Sequence, residues 1–322
     1  MAVPLTGPPP APGTPLAIRL PNWVGDVCMT LPALNALAAA GWDLRCFGRG
    51  WARDLLAGHG FVVTPLPRGV FAGATAMRGQ AAVGLLFTNS FGSALQMRWA
   101  GIRAAGYPAE LRGMLLARRV HREAKVHEVA AFWRLACDRI GGECTAPPKE
   151  LGLRLADVHR EQAAAALAAA GVTGAYVVLC PLAVGVGPEG RSKVYPGFPL
   201  LCRGLIEDGT TVVACPGPAE DALCAAQLPG AKLLPGLGLG AYAAVISGSR
   251  FVVANDSGPM HLAAAVSIPV LGIFGVTSPR RTSPWGAKSR VIGSEDGWPP
   301  AAEVWKAVSA LAGAGTGAGS GT

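Results

Sequence analysis

The chain is 322 residues long, about two domains' worth, and 51% apolar against 15% charged, which excludes wholesale disorder. Gly, Pro or a charge interrupts every apolar run before it reaches the roughly 18 residues of a membrane-spanning helix, so a transmembrane role is excluded. The formal charge of +8 is unevenly spread: residues 1–150 hold sixteen Lys and Arg against nine acids, residues 151–322 twelve against eleven. Residues 1–15, rich in Pro and Gly and without the pattern of a secretory signal, read as a disordered lead into a cytoplasmic protein.

From there short apolar runs alternate with helical patterns, which is how a parallel sheet covered by helices is written. Strands are predicted near Ala17 to Leu20, Leu44 to Phe47, Val62 to Leu66 and Ala82 to Phe87, with helices at Val27 to Ala40 and Ser90 to Ala100. The stretch GGECTAPPKE at 141–150 breaks the periodicity and reads as a linker between domains over 16–145 and 146–312. A second series follows, with strands at Tyr176 to Cys180, Thr211 to Ala214, Phe251 to Ala254 and Val270 to Phe274. A last helix at Pro300 to Leu311 could pack on either domain, and residues 313–322, built of Gly, Ala, Ser and Thr, read as a disordered tail. Two open α/β units predict two Rossmann-like domains facing an interdomain cleft, with ligands beyond the carboxyl ends of the strands. The eight cysteines include no C-x-x-C pair and read as free, mostly buried thiols of a reducing compartment.

The loops after these strands carry the chemistry. Asp26 follows Gly25 where the first strand empties into a helix, and it suits either an N-cap or a general base. At Asn255-Asp256-Ser257-Gly258-Pro259-Met260-His261 an apolar strand ends in polar residues, Pro259 fits a first helical turn, and an Ala-rich helix begins. Such a helix start offers free N–H groups and a positive dipole end to a phosphate, with Ser257 able to cap and His261 in the first turn able to donate. Two more loops leave the second series of strands: GVGPEGRSKVY, whose Arg191 and Lys193 suit an anion, and PGPAED, where Glu220 or Asp221 suits ribose hydroxyls. Thr277 to Thr282 adds hydroxyls and two cations. There is no Walker A sequence, no G-x-G-x-x-G opening the first helix, and no metal-ligand cluster. An acid in one unit and a phosphate-binding helix start in the other suit transfer of a group from a nucleotide diphosphate.

Leu20-Pro21-Asn22-Trp23-Val24-Gly25-Asp26 with Leu31-Pro32-Ala33-Leu34, and Asn255 to Ala265, resemble the two signature stretches of the heptosyltransferases of glycosyltransferase family 9. The stretch Leu86 to Leu95, followed by Gly106-Tyr107 and Leu115-Leu116, is similar to their heptosyltransferase II branch. The resemblance implies a GT-B fold and inverting transfer of heptose from ADP-L-glycero-D-manno-heptose to the heptose/Kdo inner core of lipopolysaccharide. It implies Asp26 as base, Lys193 and His261 as stabilisers of the leaving diphosphate, and a donor site of Asp256, Ser257, Gly258, His261, Lys193 and one of Glu220 and Asp221. On the acceptor side stand Asn22, Trp23, Asn89, Ser90, Arg118, Arg119, Arg122 and Lys125. Trp23 either stacks on a sugar or fills core, and the last four, with Arg112, form a basic cluster suited to an anionic acceptor.

No cofactor is expected beyond the ADP-sugar donor, with stimulation by Mg left open, and the enzyme is placed in the cytoplasm, peripheral at the inner surface of the cytoplasmic membrane. The family pattern is broken where Val194-Tyr195-Pro196 follows Lys193, and in the Gly-rich loop before it, which lacks the usual hydroxyl pair. A family 9 transferase with another nucleotide sugar or acceptor is the alternative. Without interleaved Arg and aromatic platforms a nucleic-acid module is disfavoured, as is a nicotinamide oxidoreductase without the glycine fingerprint.

Overall fold

A computed structural model describes residues 11–141 and 144–314 of the chain. They divide into two compact units, one ending at Arg154 and one beginning at Leu155. In the first, strands β1 (Thr14–Arg19), β2 (Trp42–Gly48), β3 (Val62–Pro65), β4 (Val83–Leu86), β5 (Arg103–Gly106) and β6 (Arg118–Arg119) form one parallel sheet in the order 3-2-1-4-5-6. Helices α1 (Val24–Ala39), α2 (Trp51–Leu55), α3 (Val70–Met77), α4 (Phe91–Trp99) and α5 (Glu128–Ile140) cover it.

The second unit repeats the plan. Its helices are α6 (Asp157–Ala169), α7 (Phe198–Glu207), α8 (Asp221–Gln227), α9 (Leu239–Ser247), α10 (Gly258–Ala265), α11 (Pro279–Thr282) and α12 (Ala301–Ala314). Its strands are β7 (Tyr176–Cys180), β8 (Thr211–Ala214), β9 (Lys232–Leu233), β10 (Val252–Asn255), β11 (Val270–Ile273) and β12 (Ser289–Ile292). These run β9-β8-β7-β10-β11-β12, the same order counted from β7. Both sheets therefore switch direction beside their first strand, at β1/β4 and at β7/β10, where open α/β sheets bind ligands.

Central strands buried on both faces read as continuous apolar runs, and every residue of β7 is buried. Val177, Phe198, Phe251 and Ile273 join Val304, Val308 and Leu311 of α12 in one core, so the last helix packs on the second unit. Burial of each such side chain contributes about 1.5–3 kcal/mol. Among the described residues no helix is long and apolar enough to cross a membrane.

Several expectations are corrected. β1 starts at Thr14, whose register partner is Trp42, so strand structure is found inside the segment read as a lead; residues 1–10 lie outside the described residues. The first unit reaches Arg154 rather than 145, because Trp133 Nε1 donates to the Thr145 carbonyl (2.7 Å) and Asn35 Nδ2 to that of Gly152 (3.2 Å). At the other end α12 runs to Ala314, into the segment read as a tail, of which 315–322 lie outside the described residues. Cys137 and Cys144 are joined in a disulfide, against the reading of eight free thiols, since the chain turns back after α5 and brings them together; the other six are free.

Candidate active site

In the second unit the predicted donor loops converge at the end of β10. Asn255, the last residue of that strand, is wholly buried and works as a bracket: its Oδ1 accepts the Tyr195 N–H (2.9 Å) and its Nδ2 donates to the Pro181 carbonyl (2.6 Å). The bracket fastens the loops after β7 to the end of β10 and so sets where Lys193, two residues before Tyr195, can reach. Lys193 Nζ lies 2.8 Å from Asp256 Oδ2, which also accepts the Thr277 hydroxyl at 2.8 Å. Both charged side chains are largely buried, so the pair fixes a cation at the start of α10 rather than leaving it to sample solvent.

Ser257 occupies the N-cap position of α10 with extended backbone, but its hydroxyl donates to the Asn255 carbonyl (3.2 Å) instead of capping. The predicted cap is thus replaced by a helix start with no side-chain cap bond, followed by Gly258 and Pro259. An uncapped helix start beside a fixed lysine is an anion site. His261 is buried in the first turns of α10. Arg191 is exposed on a small loop closed by the Gly187 N–H to Arg191 carbonyl bond (2.8 Å).

The two acids of PGPAED separate. Glu220 turns back to accept the Gly217 N–H (2.9 Å) and lines a cavity of about 40 Å³ with Cys180, Cys215, Tyr242 and Pro259. Asp221 is exposed in the first turn of α8. Tyr195 fills an aromatic slot between Phe198 and Trp298, with ring centroids 6.0 and 5.7 Å away. A larger hollow of about 520 Å³ between α7 and α12, lined by Leu200, Arg203, Glu207 and Trp305, lies on the helical layer and holds none of the predicted site residues.

In the first unit Asp26 is the third residue of α1, half-buried, while Trp23 holds the N-cap position. The cap reading of Asp26 is therefore set aside; a carboxylate there still gains from the helix dipole. Trp23 is 61% exposed, which excludes the core-filling role. Asn22 is oriented by Arg19, whose Nη2 donates to its Oδ1 (3.2 Å) and whose Nη1 donates to the Leu20 carbonyl (2.6 Å). Burial, then the charge of Arg49, pulls the Arg19 guanidinium down to about 10. Asn89 is exposed, whereas Ser90 caps α4 by accepting the Ser93 N–H (3.3 Å).

The basic cluster does not survive folding as one patch. Arg112 is wholly buried, its Nη1 donating to the Thr88 carbonyl (2.6 Å), and burial lowers it to about 10. Arg118 pairs with Asp138 (2.5 Å), and Arg122 pairs with Glu128 (2.7 Å) while lying 5.4 Å from the Tyr107 ring centroid. The partner acids sit on α5, outside the cluster's own stretch, so sequence proximity hid the neutralisation. Arg119 and Lys125 stay exposed and make no ion pair among the described residues. Asn255, Thr277 and Arg19 position the candidate residues, a task that sequence reasoning did not assign to them, although it counted the Thr277 hydroxyl among the groups of its loop. Their signal was a polar residue at the end of, or just after, an otherwise apolar strand. Among the described residues no three His, Cys, Asp or Glu are grouped to hold a metal.

The profile of Glycosyltransferase family 9 (heptosyltransferase) matches residues 72–307. The chain belongs to glycosyltransferase family 9. It is therefore a glycosyl-transferring enzyme. It is 28% identical over 302 residues to lipopolysaccharide heptosyltransferase 2 of Escherichia coli K12, covering 84% of this chain and 86% of that one. Lipopolysaccharide heptosyltransferase 1 of Pseudomonas aeruginosa is 44% identical over 71 residues, 22% of this chain and 20% of the relative. A solved E. coli heptosyltransferase with ADP superposes with a TM-score of 0.76 at 20% identity, covering 92% of this chain and 100% of that one, a likeness of fold.

Proposed function

We propose that this family 9 enzyme transfers heptose from ADP-L-glycero-D-manno-heptose to the heptose/Kdo inner core of lipopolysaccharide, with inversion at the anomeric carbon. The observation that carries the donor half is the Lys193–Asp256 pair set against the uncapped start of α10. The near full-length likeness to the E. coli heptosyltransferase 2 favours the sugar and the acceptor.

Asp26 takes the proton of the acceptor hydroxyl as its oxygen attacks the anomeric carbon, and the bond to ADP breaks through an oxocarbenium-like state. Negative charge then grows on the diphosphate. Lys193, the N–H groups at the start of α10 and His261 meet it with charge and donors already in place. Of the two candidate acids, Glu220 takes the ribose role in this reading, because it shares a cavity with Pro259 of α10. Asn22 and Trp23, beside the base, and Asn89, Ser90, Arg119 and Lys125 contact the acceptor. Transfer needs no metal in this scheme, since cations and a helix dipole stabilise the leaving group; chelation by EDTA should leave the rate within about twofold. The cytoplasmic, membrane-peripheral placement rests on the family resemblance, because the Cys137–Cys144 bond offsets the argument from free thiols.

ADP release with ADP-heptose and a truncated inner-core acceptor tests the reading, with UDP- and GDP-sugars as competitors. Faster turnover of another nucleotide sugar would move the enzyme to a different family 9 substrate. Asp26→Asn should leave ADP affinity nearly intact and lower turnover about a hundredfold or more. Near-normal turnover would remove Asp26 from the base role.

A further inference from the structure

Between Asp54 and Glu110 the chain contains no acidic residue, while Arg68, Arg78, Arg98 and Arg103 fall in that interval and are all exposed. The same stretch leaves large apolar side chains in solvent. Phe71 of α3 is 72% exposed and stacks on Trp99 of α4, their ring centroids 4.1 Å apart and their planes 10° from parallel. The neighbouring turn Glu110–Leu115, which packs on α4, adds Leu111 and Met114, 68% and 70% exposed. A solvated helix surface gains nothing from this composition, since each group stays wet on folding. Aromatic rings, long apolar chains and arginines in excess of acids are instead the composition of a surface that sits in the headgroup layer of a bilayer: rings and aliphatic chains enter the acyl boundary while guanidiniums meet anionic headgroups.

We propose that the face built from α3, α4 and the turn at 110–115 docks this enzyme on a bilayer containing anionic lipid. The proposal extends the functional reading by giving a lipid-borne acceptor a surface on which the enzyme can wait. Charge decides between occupants. A second copy of this chain would bring the same arginines against themselves, whereas an anionic headgroup layer complements them.

Sedimentation with vesicles that contain neither saccharide nor nucleotide keeps this test separate from the assay of transfer. On vesicles with about one third phosphatidylglycerol the wild type should partition about tenfold or more above its level on pure phosphatidylcholine. The triple variant F71S/L111S/M114S should lose about tenfold in that partitioning, with an unchanged melting temperature and unchanged transfer to a lipid-free acceptor fragment. R68E/R98E should abolish the preference for anionic vesicles. Equal binding of wild type to both vesicle types, no binding to either, or unchanged binding by the triple variant would overturn the proposal. So would a wild-type dimer on ultracentrifugation that the triple variant dissolves, which would assign the face to a second copy. Failure of heptose transfer with vesicle binding intact would count against the functional reading alone.

Discussion

His59 closes the end of the first unit in one protonation state only. Asn35 donates through Nδ2 to the Gly152 carbonyl, so its Oδ1 is the atom that faces the imidazole, 3.0 Å from His59 Nδ1. That nitrogen therefore carries the proton, and Nε2 is left to accept the Arg154 N–H at 3.0 Å. A second proton on Nε2 would set a donor against a donor. Burial first, then the charge of Arg154, lowers the imidazole from 6.5 to about 4. Because the folded value is the depressed one, the unfolded chain takes up the proton first as pH falls. The stabilisation is complete above about pH 6.5, is lost progressively towards pH 4, and at about pH 4.5 the loss reaches about 2.5 kcal/mol. His59→Phe keeps a ring against Phe61, whose centroid lies 5.0 Å from that of His59, but removes the titration and both hydrogen bonds. Urea unfolding of wild type and variant should show a stability gap at about pH 7.5 that shrinks by about 2.5 kcal/mol at about pH 4.5. An NMR titration of the imidazole should place its pKa near 4. A folded-state value near 6.5, or a gap that does not change with pH, would refute the argument.

Lys193→Ala should weaken ADP binding about 10- to 100-fold by calorimetry, because it removes a charge-assisted contact and leaves Asp256 uncompensated. Adding Asp256→Asn should recover part of the loss, and unchanged affinity in the single variant would contradict the donor site. Asn255→Leu strands the Tyr195 N–H and the Pro181 carbonyl in the core, and it should cost about 2–4 kcal/mol by urea unfolding as well as weakening ADP. Gly106→Ala would place a Cβ 2.8 Å from Arg112 Nη2 and 3.2 Å from the Leu86 Cβ, so a loss of about 1–3 kcal/mol is expected in the same assay.

Strands whose runs are mostly apolar were legible in the sequence. Tyr176 to Cys180 and Thr211 to Ala214 coincide with β7 and β8, and Phe251 to Ala254 is displaced by one residue from β10. Of the edge strands, β3 was predicted at Val62 to Leu66, while β6, β9 and β12 were missed for a physical reason; β5, inside the first sheet, was missed too. β6 and β9 are two residues long, Arg118–Arg119 and Lys232–Leu233, and β12 is Ser-Arg-Val-Ile with two exposed residues, so edge position removes the apolar run that a reader looks for. α5 is amphipathic but was not among the predicted helices.

In the site the division falls differently. The candidate ligand-binding residues are picked out by type and place, since Asp26, Lys193 and Asp256 each lie in the segment that follows a sheet strand. What a linear sequence conceals is which of its charges are already spent. Arg118 and Arg122 look available until Asp138 and Glu128 arrive from α5, and Glu220 is separated from Asp221 only by the turn that lets it reach the Gly217 N–H. Lys193 is the reverse case. Its partner Asp256 is itself at the candidate site, so the pair holds the lysine in place there instead of withdrawing it, and Thr277 holds the aspartate from the other side. A diphosphate arriving at the start of α10 would meet a cation whose position is already set, which lowers the ordering cost of binding and keeps the charge where the leaving group develops its own.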